Sequence, residues 1–105
     1  MRITIAHSKG QQQMTQTVDR VFDEAFRSVV PGPLTISDQQ KAWDGSVLRF
    51  SLIARLGFIK NPISGTVEVT EYNVTIDADL GMLGNLISAR EVQSNLETRL
   101  RRLLA

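Results

Sequence analysis

The sequence predicts an α+β fold: a two-layer sandwich in which a curved antiparallel sheet of about five strands carries two helices on one face, in the order β-α-β-β-β-β-α. Three observations lead there. Apolar residues recur at helical spacing over residues 12–29 and again over 81–104. Between these stretches lie alternating runs joined by turn residues. One of the hairpins so formed is apolar on one side and polar on the other, and the two helices are the only elements that can cover its apolar side.

Taken in order, residues 2–7 alternate Ile3 and Ile5 with polar neighbours, as a half-buried strand does. From Gln12 to Val29 the apolar positions Met14, Val18, Val21, Phe22, Ala25, Phe26 and Val29 form one helical stripe. Pro31, Gly32 and Pro33 end that helix, because proline lacks an amide donor and restricts the residue before it. Residues 34–43 form a weak strand, irregular near Asp38, and Asp44-Gly45 is a two-residue hairpin signal of type I′. The return strand is 46–55, and Trp43 then lies opposite Ser46 on the face of Leu48 and Phe50.

Residues 54–62 read as a loop with Phe58 and Ile59 at its tip, flanked by Arg55 and Lys60. A second hairpin, 63–79, closes at Glu71-Tyr72 and pairs Val69 with Val74, Val67 with Ile76 and Gly65 with Ala78. Its wet face carries Thr66, Glu68, Thr70, Asn73, Thr75 and Asp77. The last helix runs from Gly81 to Leu104, with Asp79 as its N-cap and Arg99, Arg101 and Arg102 at the negative end of its dipole.

Composition bounds the function. A chain of 105 residues holds one domain with one core. The net charge of +1 provides no general field for nucleic acid or for an anionic membrane, so any such binding has to be local. With no cysteine there are no disulfides, thiolate metal sites or cysteine nucleophiles. Residues 1–10 lack the apolar region of a secretory signal and no run is long enough to span a bilayer, so the expected compartment is the cytoplasm.

Several fragments in order carry a resemblance: His7-Ser-Lys-Gly10 after the first strand, a helix containing Ala25, residues 43–50 (WDGSVLRF), 65–69 (GTVEV), 74–80 (VTIDADL) and 100–105 (LRRLLA). Together they resemble the bacterial polyhydroxyalkanoic acid system proteins, also described as polyhydroxyalkanoate granule region proteins. The resemblance implies a cytoplasmic protein linked to storage-polyester granules, with no catalytic residue to carry over. Residues 54–62 depart from that pattern in being longer and more apolar. The element order is also similar to a reduced helix-grip domain, in which a sheet wraps a C-terminal helix and holds an apolar ligand between them.

Among candidate sites, His7 is the only histidine, and with Asp77 or Asp79 it would make a base or metal ligand. The reading preferred here is structural: a strand-end histidine bonding to the following turn. No metal or cofactor site is expected, and the arginines of the last turn read as a solvated dipole complement rather than a nucleic-acid patch. The start of the last helix stands out more. Met82, Leu83, Leu86 and Ile87 cover more of its circumference than a two-layer fold needs, and Phe58 and Ile59 add to the surplus.

The expectation is a non-enzymatic accessory protein that uses this apolar surface to meet a granule, a granule protein or its own copy. The alternative is a small carrier or sensor that holds a fatty or hydroxyacyl ligand between sheet and last helix, with Trp43 and Phe50 lining the gap. An internal void of ~300 Å³ would favour the carrier, and a filled core the contact surface.

Overall fold

A computed structural model describes residues 1–29, 34–82 and 89–105, with the backbone alone for 26–29 and 89. The elements are β1 (Arg2–Ala6), α1 (Gln11–Val29), β2 (Thr35–Asp44), β3 (Val47–Leu56), β4 (Ile59–Val69), β5 (Asn73–Asp79) and α2 (Ala89–Leu103). The five strands form one antiparallel sheet in the order β1-β5-β4-β3-β2. The fold is thus α+β with the element order read from the sequence.

Alternation decides which face is buried. Ile3, Ile5, Leu48, Phe50, Leu52, Ile63, Val67, Val69, Val74 and Ile76 point inward and are buried. They meet Met14, Val18, Val21, Phe22 and Ala25 of α1 and Leu96 and Leu100 of α2. The helices pack on each other, α2 on β1 and α1 on β4. The opposite sheet face is solvated, as is common for an antiparallel sheet. Gly65 is required where it stands: a Cβ there would meet the Asp77 carbonyl oxygen at 2.3 Å and the Phe50 ring at 2.8 Å.

The β4–β5 hairpin has the expected register, with Val69↔Val74, Val67↔Ile76 and Gly65↔Ala78. Thr70 and Asn73 close its turn by main-chain and hydroxyl bonds of 2.8–3.2 Å. Irregularity near Asp38 is present too. Between Ser37↔Ile53 and Gln40↔Ser51 two residues of β2 face one of β3, and Asp38 has φ 54°.

Three expectations require correction. The β2–β3 turn is Gly45-Ser46, not Asp44-Gly45: Asp44 pairs with Val47 and Trp43 with Leu48. Gly45 has φ 61° and Ser46 is not in the positive region, so the turn is of type II′, which needs only its first residue left-handed. Trp43 still shares a face with Leu48 and Phe50, because moving the turn by one residue shifts the pairing by two and preserves parity. Residues 54–62 are not a loop. Strands β3 and β4 remain paired out to Leu56↔Ile59 and close on Gly57-Phe58, with Gly57 at φ 59°.

The third correction concerns the last helix. Asp79 ends β5 instead of capping a helix, and its Oδ1 accepts a bond from the Gly81 amide at 2.9 Å. Gly81, at φ 57°, and Met82 form a turn. The described helix begins at Ala89. The expected helix stop at 31–33, and the expected helical start over 83–88, lie outside the described residues.

Candidate functional site

The eight residues singled out from the sequence divide into three groups. Phe58, Ile59 and Met82 are exposed, the first fully, the others at 42% and 60%. Trp43 is half-buried and Phe50 is core, at 4%. Leu83, Leu86 and Ile87 lie outside the described residues.

The exposed group is built by the β3–β4 hairpin. Leu56 and Ile59 form its last cross-strand pair and lie on the sheet's apolar face, in register with the buried pairs Leu52↔Ile63 and Ala54↔Asn61. Gly57 supplies the left-handed residue of the turn, and Phe58 occupies the apex. On the opposite face of the same pair of strands, Arg55 faces Lys60. Arg55 donates through Nε to Ser37 Oγ at 3.2 Å and lies 3.9 Å from Asp38, while among the described residues Lys60 has no ion pair.

Asn61 joins Met82 to this hairpin, and the sequence reading missed it. At 3% exposure it is a buried polar side chain on an apolar face, yet both ends of its amide are used. Nδ2 donates to the Leu80 carbonyl at 2.8 Å, and Oδ1 accepts from the Met82 amide at 2.9 Å. The main chain of 80–82 is thereby held two strand positions from Ile59. Gly81 is needed beside it, since a Cβ would come within 2.8 Å of Asn61 Oδ1. A buried asparagine inside a segment read as a loop left no signal in the sequence.

Trp43 is tied to α1. Its Nε1 donates to Asp19 Oδ1 of α1 at 2.9 Å. Two residues earlier on the same strand face, Lys41 Nζ lies 3.3 Å from that carboxylate, donates to the Asp19 carbonyl at 2.9 Å and lies 4.0 Å from Asp23. The indole bond holds the Asp19 carboxyl below its ordinary 3.8; burial opposes it, and Lys41 adds smaller effects in the same direction as the indole. This set of bonds ties the edge strand to α1. Phe50 packs on Phe22 with ring centroids 4.9 Å apart. The space bordered by Phe22, Val67, Ile76 and Leu100 has a volume of about 10 Å³, far below the few hundred Å³ of a ligand pocket.

His7 has the structural role read from the sequence. Its Nδ1 accepts from the Lys9 amide at 3.3 Å, which leaves the hydrogen on Nε2 to be donated to the Thr70 carbonyl at 2.9 Å. The His7 amide donates to Tyr72 O, and Glu71 accepts from the first amide of α1 at Gln11. Asp77 pairs instead with Arg2, at 4.0 Å, on the opposite sheet position from Ile3 and Ile5. The imagined histidine–aspartate pair is therefore not assembled. Arg101 binds Glu97 at 2.7 Å and Arg99 lies 3.6 Å from Glu24 of α1, so two of the terminal arginines are engaged within the fold.

Among the described residues no group of three or more histidines, cysteines, aspartates or glutamates is placed to hold a metal ion. Among the described residues, no helix is long and apolar enough to cross a membrane. Comparison with known proteins gives no match among curated proteins or solved structures. It does give a family model, described as "Putative polyhydroxyalkanoic acid system protein", that matches residues 1–104. With nearly every residue covered, from the first strand to the end of α2, the chain belongs to the polyhydroxyalkanoic acid system protein family.

Proposed function

We propose that this chain is a non-enzymatic accessory protein of polyhydroxyalkanoate metabolism. It acts in the cytoplasm and meets granules, or proteins on them, through the apolar surface of Phe58, Ile59 and Met82. The family name supplies the metabolic setting. The observation that carries the mode of action is the hairpin apex, where a fully exposed phenylalanine precedes a half-exposed isoleucine and where Asn61 of the same strand holds the main chain of the exposed Met82. Covering such side chains is worth about 1.5–3 kcal/mol each before association costs, which suits reversible attachment.

The non-enzymatic reading draws on how His7 is used: both ring nitrogens are spent on main-chain partners, so neither is left to move a proton. The packing of Phe50 on Phe22 and the bond from Trp43 to Asp19 favour the contact surface over the carrier alternative. Co-sedimentation with isolated granules tests the proposal. The wild-type chain should be recovered with the granules and Phe58→Ser should be recovered several-fold less. Equal recovery of the two would overturn the reading.

A further inference from the structure

We infer that the β3–β4 hairpin apex docks on an anionic lipid–water interface, with Phe58 inserted and Lys60 and Arg55 at the level of the head groups. This deepens the proposed function and rests on its apolar surface.

The 11 residues of β4 extend over roughly 35 Å. That is most of the molecule's longest dimension, 42 Å, so the apex marks one end of the molecule. Phe58 stands out from this end on a convex turn, which suits a side chain entering a soft interface better than one completing a flat contact. Behind it come the cross-strand pair Leu56 and Ile59 on the apolar face and, one strand position farther back, the pair Arg55 and Lys60 on the solvated face. An aromatic ring with cations two residue pairs behind it matches the order of an anionic lipid interface, acyl chains first and phosphates next. Farther back the solvated face carries Ile53 and Pro62, then Ser51 and Ser64, then Arg49 opposite Thr66, so the two cations closest to the apex are Arg55 and Lys60.

Charge separates this end from Tyr72, the other exposed aromatic among the described residues. Tyr72, 71% exposed in the β4–β5 turn, has Glu71 beside it and no cation in its turn. The acidic group nearest Arg55 is Asp38, at 3.9 Å, which offsets part of its charge, while Lys60 keeps its own. A local basic and apolar tip on a chain of net charge +1 thus supplies what the whole-molecule field does not.

The test is flotation of the purified full chain with vesicles of phosphatidylcholine alone or mixed with an equal part of phosphatidylglycerol. The mixed vesicles should bind about tenfold better, with the difference shrinking as salt is raised. Phe58→Ser should weaken binding to them by about tenfold or more. Lys60→Glu should remove most of the preference for anionic lipid, and Tyr72→Ser should change nothing. Circular dichroism and Trp43 fluorescence verify that each variant is folded.

Equal binding to both vesicle types, or binding unchanged in Phe58→Ser, overturns the inference. If vesicles fail but granule recovery still depends on Phe58, the occupant is a protein or the bare polyester, and only the lipid assignment falls. If vesicles bind through Phe58 but granule recovery ignores it, the lipid assignment stands and the proposed function falls.

Discussion

Strand β3 has a glycine-first two-residue turn at each end, and the two ends have opposite fates. At one, Gly45-Ser46 is flanked by Trp43, whose indole is bonded to Asp19 of α1 and whose neighbour Lys41 bonds the same residue. At the other, Gly57-Phe58 projects an aromatic ring fully into solvent. Turn chemistry is nearly the same in both. What differs is whether a side-chain partner on a described helix is within reach, and an aromatic residue beside a turn becomes a tether in one case and an exposed contact in the other. Conformation at a turn is a local property, whereas exposure is not.

The sharpest way to break this comparison uses two phenylalanines eight residues apart. Phe50→Ala removes a ring buried against Phe22 and should cost about 3–5 kcal/mol in denaturant-induced unfolding. Phe58→Ala should stay within about 0.5 kcal/mol of wild type in the same assay. A large loss at Phe58 would mean that the apex is covered after all.

Asn61→Leu probes where the packed body gives way to the projecting end. It leaves the Leu80 carbonyl and the Met82 amide without their partner and should cost about 1–3 kcal/mol by the same measurement. It should also raise hydrogen exchange at Met82 while sparing the amides of β1. A neutral result would detach Met82 from the hairpin surface.

The smallest effect lies at the tethered end and depends on pH. Because the folded Asp19 carboxyl titrates below 3.8, its contribution to stability is complete above that value and is lost as pH falls through the lowered one. Asp19 is half exposed, so solvent screens the gain and the change in stability is small. Trp43 fluorescence reports it directly. An acid transition with its midpoint below 3.8 is expected in the wild type and should vanish in Asp19→Asn.

Much of this was legible because it rests on periodicity. The α1 stripe through Met14, Val18 and Phe22, and the register of Val69 with Val74, follow from spacing alone. Residues 54–62 read as a loop in sequence, yet β4 accommodates both Asn61 and Pro62, for different reasons. Asn61 is buried but satisfied by the main chain of 80–82, and Pro62 sits exposed on the solvated face. Neither reason can be seen until a distant segment is in place.

By itself the sequence determined the element order and the register of the β4–β5 hairpin, since these depend on neighbours a few residues away. Tertiary structure decided that Trp43 is a tether, that Asn61 is an anchor and that Phe58 is left uncovered. Each of those outcomes turns on whether a partner 19 to 24 residues away in sequence comes within bonding distance, and only the packing of α1 and the 80–82 turn against the sheet sets that distance.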